Sequence, residues 1–166
     1  MGTGKTTVAK IISEKLFLDF FDTDKLICQQ VSMKVRDIFK TYGEKKFRSL
    51  ESKVLENLLL NYKNLTKRKR IIATGGGIVL SAENRKYLKK YSFPILLTAS
   101  PKNILERIEG KNRPLLSKNN NKLIEIKKLL RKREKFYSQF QKKINTDHKS
   151  PEEVADEIIK NYIVNN

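Results

Sequence analysis

The amino terminus carries residue types that bind phosphate groups. Residues 2–7 read Gly-Thr-Gly-Lys-Thr-Thr and lead into a segment whose apolar residues recur at helical spacing. Glycines let backbone amides turn towards phosphate oxygens, and the N-terminus of a helix adds positive potential. The lysine can reach the terminal phosphates, and the first threonine can ligate Mg²⁺. The segment predicts an ATP-phosphate site made of Gly2, Thr3, Gly4, Lys5, Thr6 and Thr7.

This motif is shorter than the full phosphate-binding pattern. The pattern G-x-x-x-x-G-K-[S/T] requires a first glycine two residues before Met1, and the loop normally follows a buried strand. Three interpretations are open: a glycine-rich helix start, a chain without this strand, or a translation start placed too late. We favour the third, because the downstream segments look intact.

Two aspartates follow a short strand predicted near residues 18–21. One carboxylate of the pair Asp22 and Asp24 can serve a metal ion, and the other can orient or deprotonate a hydroxyl group. The alternative is that one of them only caps the next helix. The sequence alone does not decide between these roles.

A triple glycine, Gly75 to Gly77, ends the β-branched run at residues 70–74. Glycines allow close approach of the backbone to a ligand, although a structural turn is their more common use. Arg48 and Arg133, taken singly, are equally consistent with solvated surface positions. These residues become candidates for a site only through their context.

Strands alternate with helices along the whole chain, which predicts a parallel sheet covered by helices on both faces. Ligands of such folds bind at the carboxyl ends of the strands, where Asp22, Asp24 and Gly75 to Gly77 are expected. The periodicity disappears at about residues 109–122, which predicts a mobile lid. No repeat or linker is visible, so residues 1–166 are predicted to form one domain.

The composition excludes several classes of function. The 166 residues include 36 Lys or Arg and 18 Asp or Glu, for a net charge of +18, but the basic residues are spread along the chain. We therefore expect no nucleic-acid partner. A single cysteine and a single histidine, Cys28 and His148, disfavour disulfide and zinc chemistry. No membrane span or signal peptide is visible, which predicts a cytoplasmic protein without a membrane partner.

Taken in order, the motifs resemble those of the shikimate kinase family from Met1 to about Ile159. To the phosphate loop they add Phe-Asp-Thr-Asp at 21–24, Ile-Phe at 38–39, Tyr-Gly-Glu at 42–44, Phe-Arg at 47–48, Ala-Thr-Gly-Gly-Gly at 73–77, Arg-Pro-Leu-Leu at 113–116, and Arg133 with Tyr137. The Asp-x-Asp, Phe-Arg and triple-glycine set distinguishes this family from adenylate-type and gluconate-type kinases.

The resemblance implies an α/β, three-layer, P-loop NTPase-type fold whose usual first, central strand is missing from this chain. It implies transfer of the γ-phosphate of ATP, with Mg²⁺, to the 3-hydroxyl of shikimate. Arg48 and Arg133 would hold the shikimate carboxylate, since guanidinium groups suit planar carboxylates. Asp24 would act as general base or orienting group, and Asp22 would support Mg²⁺ through water.

The remaining roles also follow from the resemblance. Gly76 would close around the substrate ring, with Gly75 and Gly77 shaping the turn. Arg113 would reach the phosphates from the lid, while Arg107 and Lys149 would contact adenine.

The resemblance also implies a monomer. The alternatives are another small-metabolite kinase (gluconate-like or nucleoside monophosphate), a basic nucleic-acid-binding module, or an inactive truncated relative.

Overall fold

Helices predominate in the computed structural model, which describes residues 2–61, 69–108 and 121–163. The α-helices are α1 (Lys5–Leu16), α2 (Thr23–Val31), α3 (Val35–Glu56), α4 (Ala82–Tyr91), α5 (Pro101–Ile108), α6 (Lys122–Tyr137) and α7 (Pro151–Ile158). The strands are β1 (Asp19–Asp22), β2 (Arg70–Ala73), β3 (Leu96–Thr98) and β4 (Lys143–Asn145). Short π-helical turns cover Asn57–Asn61 and Ile159–Ile163, and a 3₁₀ turn covers Ile78–Leu80.

Several helix ends coincide with signals in the sequence. Ser150 and Glu153 form a capping box at the start of α7, in which each side chain accepts a hydrogen bond from the other residue's backbone N–H. The Ser100 hydroxyl accepts a hydrogen bond from the Asn103 N–H at the start of α5. Gly43 has φ 75° and ψ 171° and divides α3 into two helical halves. The predicted helix end near Gly43 is thereby confirmed as a break within α3.

The strands of the described residues form two separate parallel pairs. In the first pair β1 lies beside β2, with Phe21 opposite Ile72, and in the second β3 lies beside β4, with Leu97 opposite Ile144. The predicted parallel direction is confirmed in both pairs. Within the described residues the two pairs are not hydrogen-bonded to each other, and a cavity lies between β2 and β3.

Helices cover both faces of the strands. Ile71 and Ile72 are neighbours in β2, and successive side chains of a strand point to opposite faces. Ile71 packs against a cluster that includes α1 and α7, whereas Ile72 packs against clusters that include α2, α3, α4 and the end of α6. The described residues therefore have the three-layer arrangement that the alternation of elements predicts.

The predicted lid falls mainly outside the described residues, since residues 109–120 are not among them. The helix that follows it, α6, begins at Lys122. In the part of the chain that the structure describes, no helix is both long and apolar enough to cross a membrane.

Candidate active site

The phosphate loop has the backbone shape that its glycines predict. Gly2 and Gly4 have φ angles of 66° and 82°, in the left-handed region that favours glycine. A β-carbon at Gly2 would also lie 3.0 Å from the Ile104 Cγ2 atom. Gly4 precedes α1, and no side chain of the described residues caps that helix. The first backbone amides of α1 are therefore available to an anion.

Side chains link this loop to the carboxyl end of β1. The Thr6 hydroxyl donates a hydrogen bond to Asp22 Oδ2 at 2.8 Å. The Lys5 ammonium donates to Thr3 Oγ1 at 3.5 Å, which places its charge beside the loop. Thr7 follows on α1 and is exposed. The structure thus brings Thr6 and Asp22 together and places the Lys5 ammonium beside Thr3 in the same loop.

Asp22 caps the next helix, which is one of the roles that the sequence leaves open, and it also contacts Thr6. Its Oδ1 atom accepts a hydrogen bond from the Lys25 N–H at 3.1 Å and caps α2, while Oδ2 accepts from Thr6. The next residue, Thr23, is buried, and its hydroxyl accepts a hydrogen bond from the Gly75 N–H at 3.2 Å. The carboxyl ends of β1 and β2 are therefore held together at the site.

Two carboxylates converge on Gly75. Asp24 Oδ1 and Glu51 Oε1 each lie 2.7 Å from the position that a β-carbon on Gly75 would occupy. Any larger residue would displace these groups, so the glycine is required here by close approach rather than by its φ angle. Asp24 is positioned by the first turn of α2, and Glu51 lies on α3.

Two arginines complete this cluster. The Arg48 guanidinium donates to Glu51 Oε2 at 2.7 Å and to Glu44 Oε1 at 3.1 and 3.2 Å. It lies so close to Gly77 that a β-carbon there would overlap it. Arg133 is 4% exposed, and its charge acts on Glu51.

Helix α6 also positions the glycine turn. Tyr137, one helical turn after Arg133, donates a hydrogen bond from its hydroxyl to the Gly76 carbonyl at 2.7 Å. Residues four apart lie on the same face of a helix. One face of α6 therefore brings both Arg133 and the glycine turn to the site.

Glu51 is the site residue that the sequence reasoning missed. It is fully buried, and burial raises its pKa to about 7 from an ordinary value of 4.5. Arg48 and Arg133 oppose this shift, and the Asp24 carboxylate adds to it. The available signal was the spacing Arg48-x-x-Glu51, which places an acid and a base on one face of a helix.

The comparisons with known proteins agree on one family. A family model described as shikimate kinase matches residues 1–162. The chain is 42% identical over 163 residues to shikimate kinase of Thermodesulfovibrio yellowstonii, covering 98% of this chain and 90% of that relative. It is 43% identical over 160 residues to shikimate kinase of Caldicellulosiruptor saccharolyticus, covering 96% and 89%. The chain belongs to the shikimate kinase family.

Solved structures of shikimate kinases have the same fold. The enzyme of Acinetobacter baumannii, solved in complex with shikimate, superposes with a TM-score of 0.85 at 31% identity, over 96% of this chain and 87% of that one. The enzyme of Aquifex aeolicus gives a TM-score of 0.78 at 32% identity, over 96% and 90%. Shikimate kinases have the P-loop fold and are ATP-dependent phosphotransferases, so this family membership makes the chain an enzyme.

The two residues predicted to contact adenine lie near the loop that follows β4. The Arg107 guanidinium donates to the Thr146 hydroxyl at 2.8 Å and to the Thr146 carbonyl at 2.6 Å. Lys149, three residues further along, forms an ion pair with Glu157 at 2.6 Å. Arg113, the predicted lid arginine, lies outside the described residues.

The raised pKa of Glu51 predicts a pH-dependent stability. A carboxyl whose folded-state pKa is raised stabilises the fold fully below about pH 4.5, and this stabilisation is lost as the pH rises to about 7. The free energy of unfolding of the wild type is therefore expected to fall over this window by on the order of 3 kcal/mol relative to Glu51→Gln. Urea titrations at about pH 5 and about pH 8 measure this difference.

The matched control for this prediction is Glu14→Gln. Glu14 is an exposed glutamate paired with Lys10, so its replacement should leave the pH profile of the wild type unchanged. A Glu51→Gln chain whose stability changes with pH as steeply as that of the wild type would show that Glu51 has an ordinary pKa.

Proposed function

We propose that this chain transfers the γ-phosphate of ATP to the 3-hydroxyl of shikimate, giving shikimate 3-phosphate and ADP. The observation that carries the proposal is that two groups of residues, one suited to ATP phosphates and one suited to a carboxylate substrate, lie next to each other. The phosphate loop at residues 2–7 and the cluster of Asp24, Arg48 and Arg133 meet at the carboxyl ends of β1 and β2, joined by the Thr6 to Asp22 and Gly75 to Thr23 hydrogen bonds. The family membership supports the same reaction.

Arg48 and Arg133 would bind the carboxylate of shikimate. Arg133 is buried, and its Nε atom has no hydrogen-bond partner among the described residues. A buried guanidinium nitrogen without a partner is costly, and an anionic ligand relieves that cost. Arg48 is bonded to the buried Glu51 and to the half-exposed Glu44, and its side chain is 21% exposed, which leaves it accessible to a ligand. Gly75, Gly76 and Gly77 would line the same substrate pocket with backbone.

Asp24 would orient the reacting hydroxyl and accept its proton. As the 3-hydroxyl oxygen forms its bond to the γ-phosphorus, the bond from that phosphorus to the β,γ-bridging oxygen breaks, and ADP leaves. Lys5 would bind the terminal phosphates from the start of α1, with Arg113 approaching them from the lid. Such catalysis consists mainly of positioning and charge stabilisation.

The residues at the end of β1 fit a magnesium ion. Thr6 Oγ1 and Asp22 Oδ2 are hard oxygen donors 2.8 Å apart. Mg²⁺ in kinase sites is usually held by one or two such groups together with waters and substrate phosphates. Thr6 and Asp22 would therefore hold it, and its charge would neutralise the phosphate oxygens when bound.

ATP would be held further along the same edge. Gly2, Thr3, Gly4, Lys5, Thr6 and Thr7 would surround its phosphates, and Arg107 and Lys149 would contact adenine. We propose further that residues 1–166 act as one domain and as a monomer in the cytoplasm, with ATP and shikimate as partners and without nucleic acid.

A coupled ADP-release assay with purified chain tests the proposed function. We expect ADP release to depend on shikimate, and to be negligible when gluconate or a nucleoside monophosphate replaces it, because these lack a carboxylate placed for Arg48 and Arg133. Equal turnover with one of those acceptors would favour another small-metabolite kinase. Absence of turnover with every acceptor would favour the inactive relative.

Gly77→Ala is expected to weaken shikimate binding. The new β-carbon would overlap the Arg48 guanidinium, which must then move away from the substrate pocket. A lost hydrogen bond to a charged group costs about 1.5 to 3 kcal/mol, so we expect KM for shikimate to rise by about ten- to a hundredfold. The KM for ATP should change little. Steady-state kinetics with each substrate varied in turn measure both.

A double variant isolates the cause of this effect. If Gly77→Ala acts through Arg48, then adding it to Arg48→Ala should change KM for shikimate no further. An additional loss of similar size in that background would show that the alanine disturbs the glycine turn itself.

A further inference from the structure

The glycines at 75–77 form a tight turn of a defined type. The Gly75 carbonyl accepts a hydrogen bond from the Ile78 N–H at 3.1 Å, so Gly76 and Gly77 hold the two central positions of a β-turn. Gly77 has φ −90° and ψ −10°, which are the angles of the second central position in a type I turn. The glycine turn is therefore of type I.

Buried side chains fix the two ends of the glycine turn. The Thr23 hydroxyl accepts a hydrogen bond from the Gly75 N–H at 3.2 Å, and the Asn84 side-chain amide donates to the Ile78 carbonyl at 3.3 Å. Thr23 and Asn84 are both buried. Neither hydrogen bond involves the central peptide group of the turn. These contacts set where the turn begins and ends, but not which way its central peptide faces.

The residues of the turn permit either orientation of the central peptide. Type I and type II turns differ mainly by a flip of the peptide that joins the two central residues. A type II turn needs a positive φ at the second central residue, which glycine adopts without steric cost. Because Gly77 holds that position, the turn does not itself select one form. A contact from outside the turn must do so.

Tyr137 of α6 makes such a contact with the central peptide. Its hydroxyl donates a hydrogen bond to the Gly76 carbonyl at 2.7 Å. The peptide bond between Gly76 and Gly77 is trans, so its carbonyl and its N–H point in opposite directions. The Gly77 N–H therefore faces away from Tyr137. This hydrogen bond fixes the orientation that the turn leaves open.

Other elements bring the candidate substrate groups to the same turn. Asp24 Oδ1 lies 2.7 Å from the position that a β-carbon on Gly75 would occupy, and the Arg48 guanidinium lies against the corresponding position of Gly77. Asp24 belongs to α2 and Arg48 to α3, whereas the contact with the carbonyl comes from α6. The orientation of the central peptide thus decides whether a donor or an acceptor is presented to a ligand of these groups.

We propose that Tyr137 is a positioning residue that holds the glycine turn in its type I form and so presents the Gly77 N–H to shikimate. In the flipped form the Gly76 carbonyl takes the place of this N–H and offers an acceptor where a substrate oxygen needs a donor. The inference rests on the proposed function, in which the glycine backbone lines the shikimate pocket. It gives a role to the tyrosine that follows Arg133 by one helical turn.

The Tyr137→Phe variant tests this proposal, because it removes the hydroxyl and keeps the ring. The form of the turn is measured by NMR without ATP or shikimate. The two central N–H protons lie close together in a type I turn, whereas in a type II turn the second N–H lies close to the α-protons of the preceding residue. We expect the NOE between the Gly76 and Gly77 N–H protons to weaken in the variant, and the NOE from the Gly76 α-protons to the Gly77 N–H to strengthen.

Shikimate binding is expected to weaken about tenfold in the same variant. In the type I form the Gly76 carbonyl would face a phenyl ring without a donor, and the loss of a partner shifts such an equilibrium by roughly a factor of ten. The measured Kd equals the intrinsic Kd divided by the fraction of molecules in the binding form. Calorimetry without ATP measures this Kd. The KM for ATP should not change, because the phosphate loop is untouched.

Two replacements serve as controls. Tyr87 packs in the same apolar cluster as Tyr137, but its hydroxyl contacts Glu56 and Glu83 at 3.3 Å instead of the turn. Tyr87→Phe should therefore keep the NOE pattern and the Kd of the wild type. Replacement of Tyr137 by para-aminophenylalanine keeps an N–H donor at the same place and should restore both.

The outcomes separate this inference from the proposed function. A Tyr137→Phe chain with the NOE pattern and the Kd of the wild type would overturn the role of Tyr137, even though shikimate binds. A lower urea midpoint with an unchanged NOE pattern would show a merely structural role and overturn it as well. If the wild type itself does not bind shikimate, the proposed function fails, whereas the NOE pattern still confirms or overturns the selection of the turn form by Tyr137.

Discussion

Replacing Lys5 with methionine is expected to reduce shikimate-dependent ADP release by about a hundred- to a thousandfold while the fold stays intact. Lys5 is the first residue of α1, and its ammonium lies beside the phosphate loop, 3.5 Å from Thr3 Oγ1. Charge on the phosphate oxygens is redistributed during transfer, and the loss of one preorganised donor costs about this much in kcat. Methionine keeps an unbranched apolar stem and removes the ammonium group, with its charge and its N–H donors.

Lys10→Met is the matched control for this variant. Lys10 lies on the same helix, is exposed and pairs with Glu14 at 3.4 Å, so its loss should leave both kcat and stability close to those of the wild type. Circular dichroism and the urea midpoint of the Lys5 variant should match those of this control. Near-normal turnover by the Lys5 variant would show that Lys5 has no catalytic role.

Local features of the fold and site could be predicted because they depend on neighbouring residues. The capping box at Ser150 and the break of α3 at Gly43 need only a few adjacent side chains and one φ angle. The meeting of Thr6 with Asp22 follows from a loop and a strand end that parallel topology brings to the same edge. In each case the physical cause lies within a short segment or in a general rule of topology.

Other features depend on contacts that the sequence pattern does not contain. In the sequence, Glu51 looks like any other charged residue of a helix. Its burial next to Arg48 and the Asp24 carboxylate becomes visible only in the fold. The separation of the strands into two pairs depends on which strand edges hydrogen-bond to each other. The alternation of apolar and polar residues shows which side chains share a face of a strand, but it does not show which strand lies beside it. The contacts of Arg107 with Thr146 likewise join distant segments.

Replacing Arg133 with alanine is the second change with a large expected effect. Arg133 is buried at 4% exposure, on the same face of α6 as Tyr137, which contacts the glycine turn. A lost hydrogen bond to a charged group costs about 1.5 to 3 kcal/mol, and about 1.4 kcal/mol corresponds to a factor of ten. We therefore expect Kd for shikimate, measured by calorimetry, to rise by about ten- to a hundredfold, with little change for ATP.

Two single variants control for charge and for position. Lys132→Ala removes the exposed neighbouring cation and should leave shikimate binding unchanged. Arg133→Lys keeps the charge but loses the planar pair of donors, so its Kd should lie between those of the wild type and the alanine variant. A change confined to the KM for ATP would contradict a substrate-binding role for Arg133.

Because Arg133 lies near Glu51, a higher Kd for shikimate in the Arg133→Ala variant has a second possible cause. A double variant separates this cause from the loss of a direct contact with shikimate. The charge of Arg133 lowers the pKa of Glu51, so its removal also leaves that buried carboxyl less neutralised. If Arg133 contacts the shikimate carboxylate, then Arg133→Ala combined with Glu51→Gln should bind shikimate as weakly as Arg133→Ala alone. If the arginine acts only by neutralising Glu51, removing that carboxylate should restore much of the lost affinity. Because a direct contact needs the guanidinium itself, we expect no such recovery.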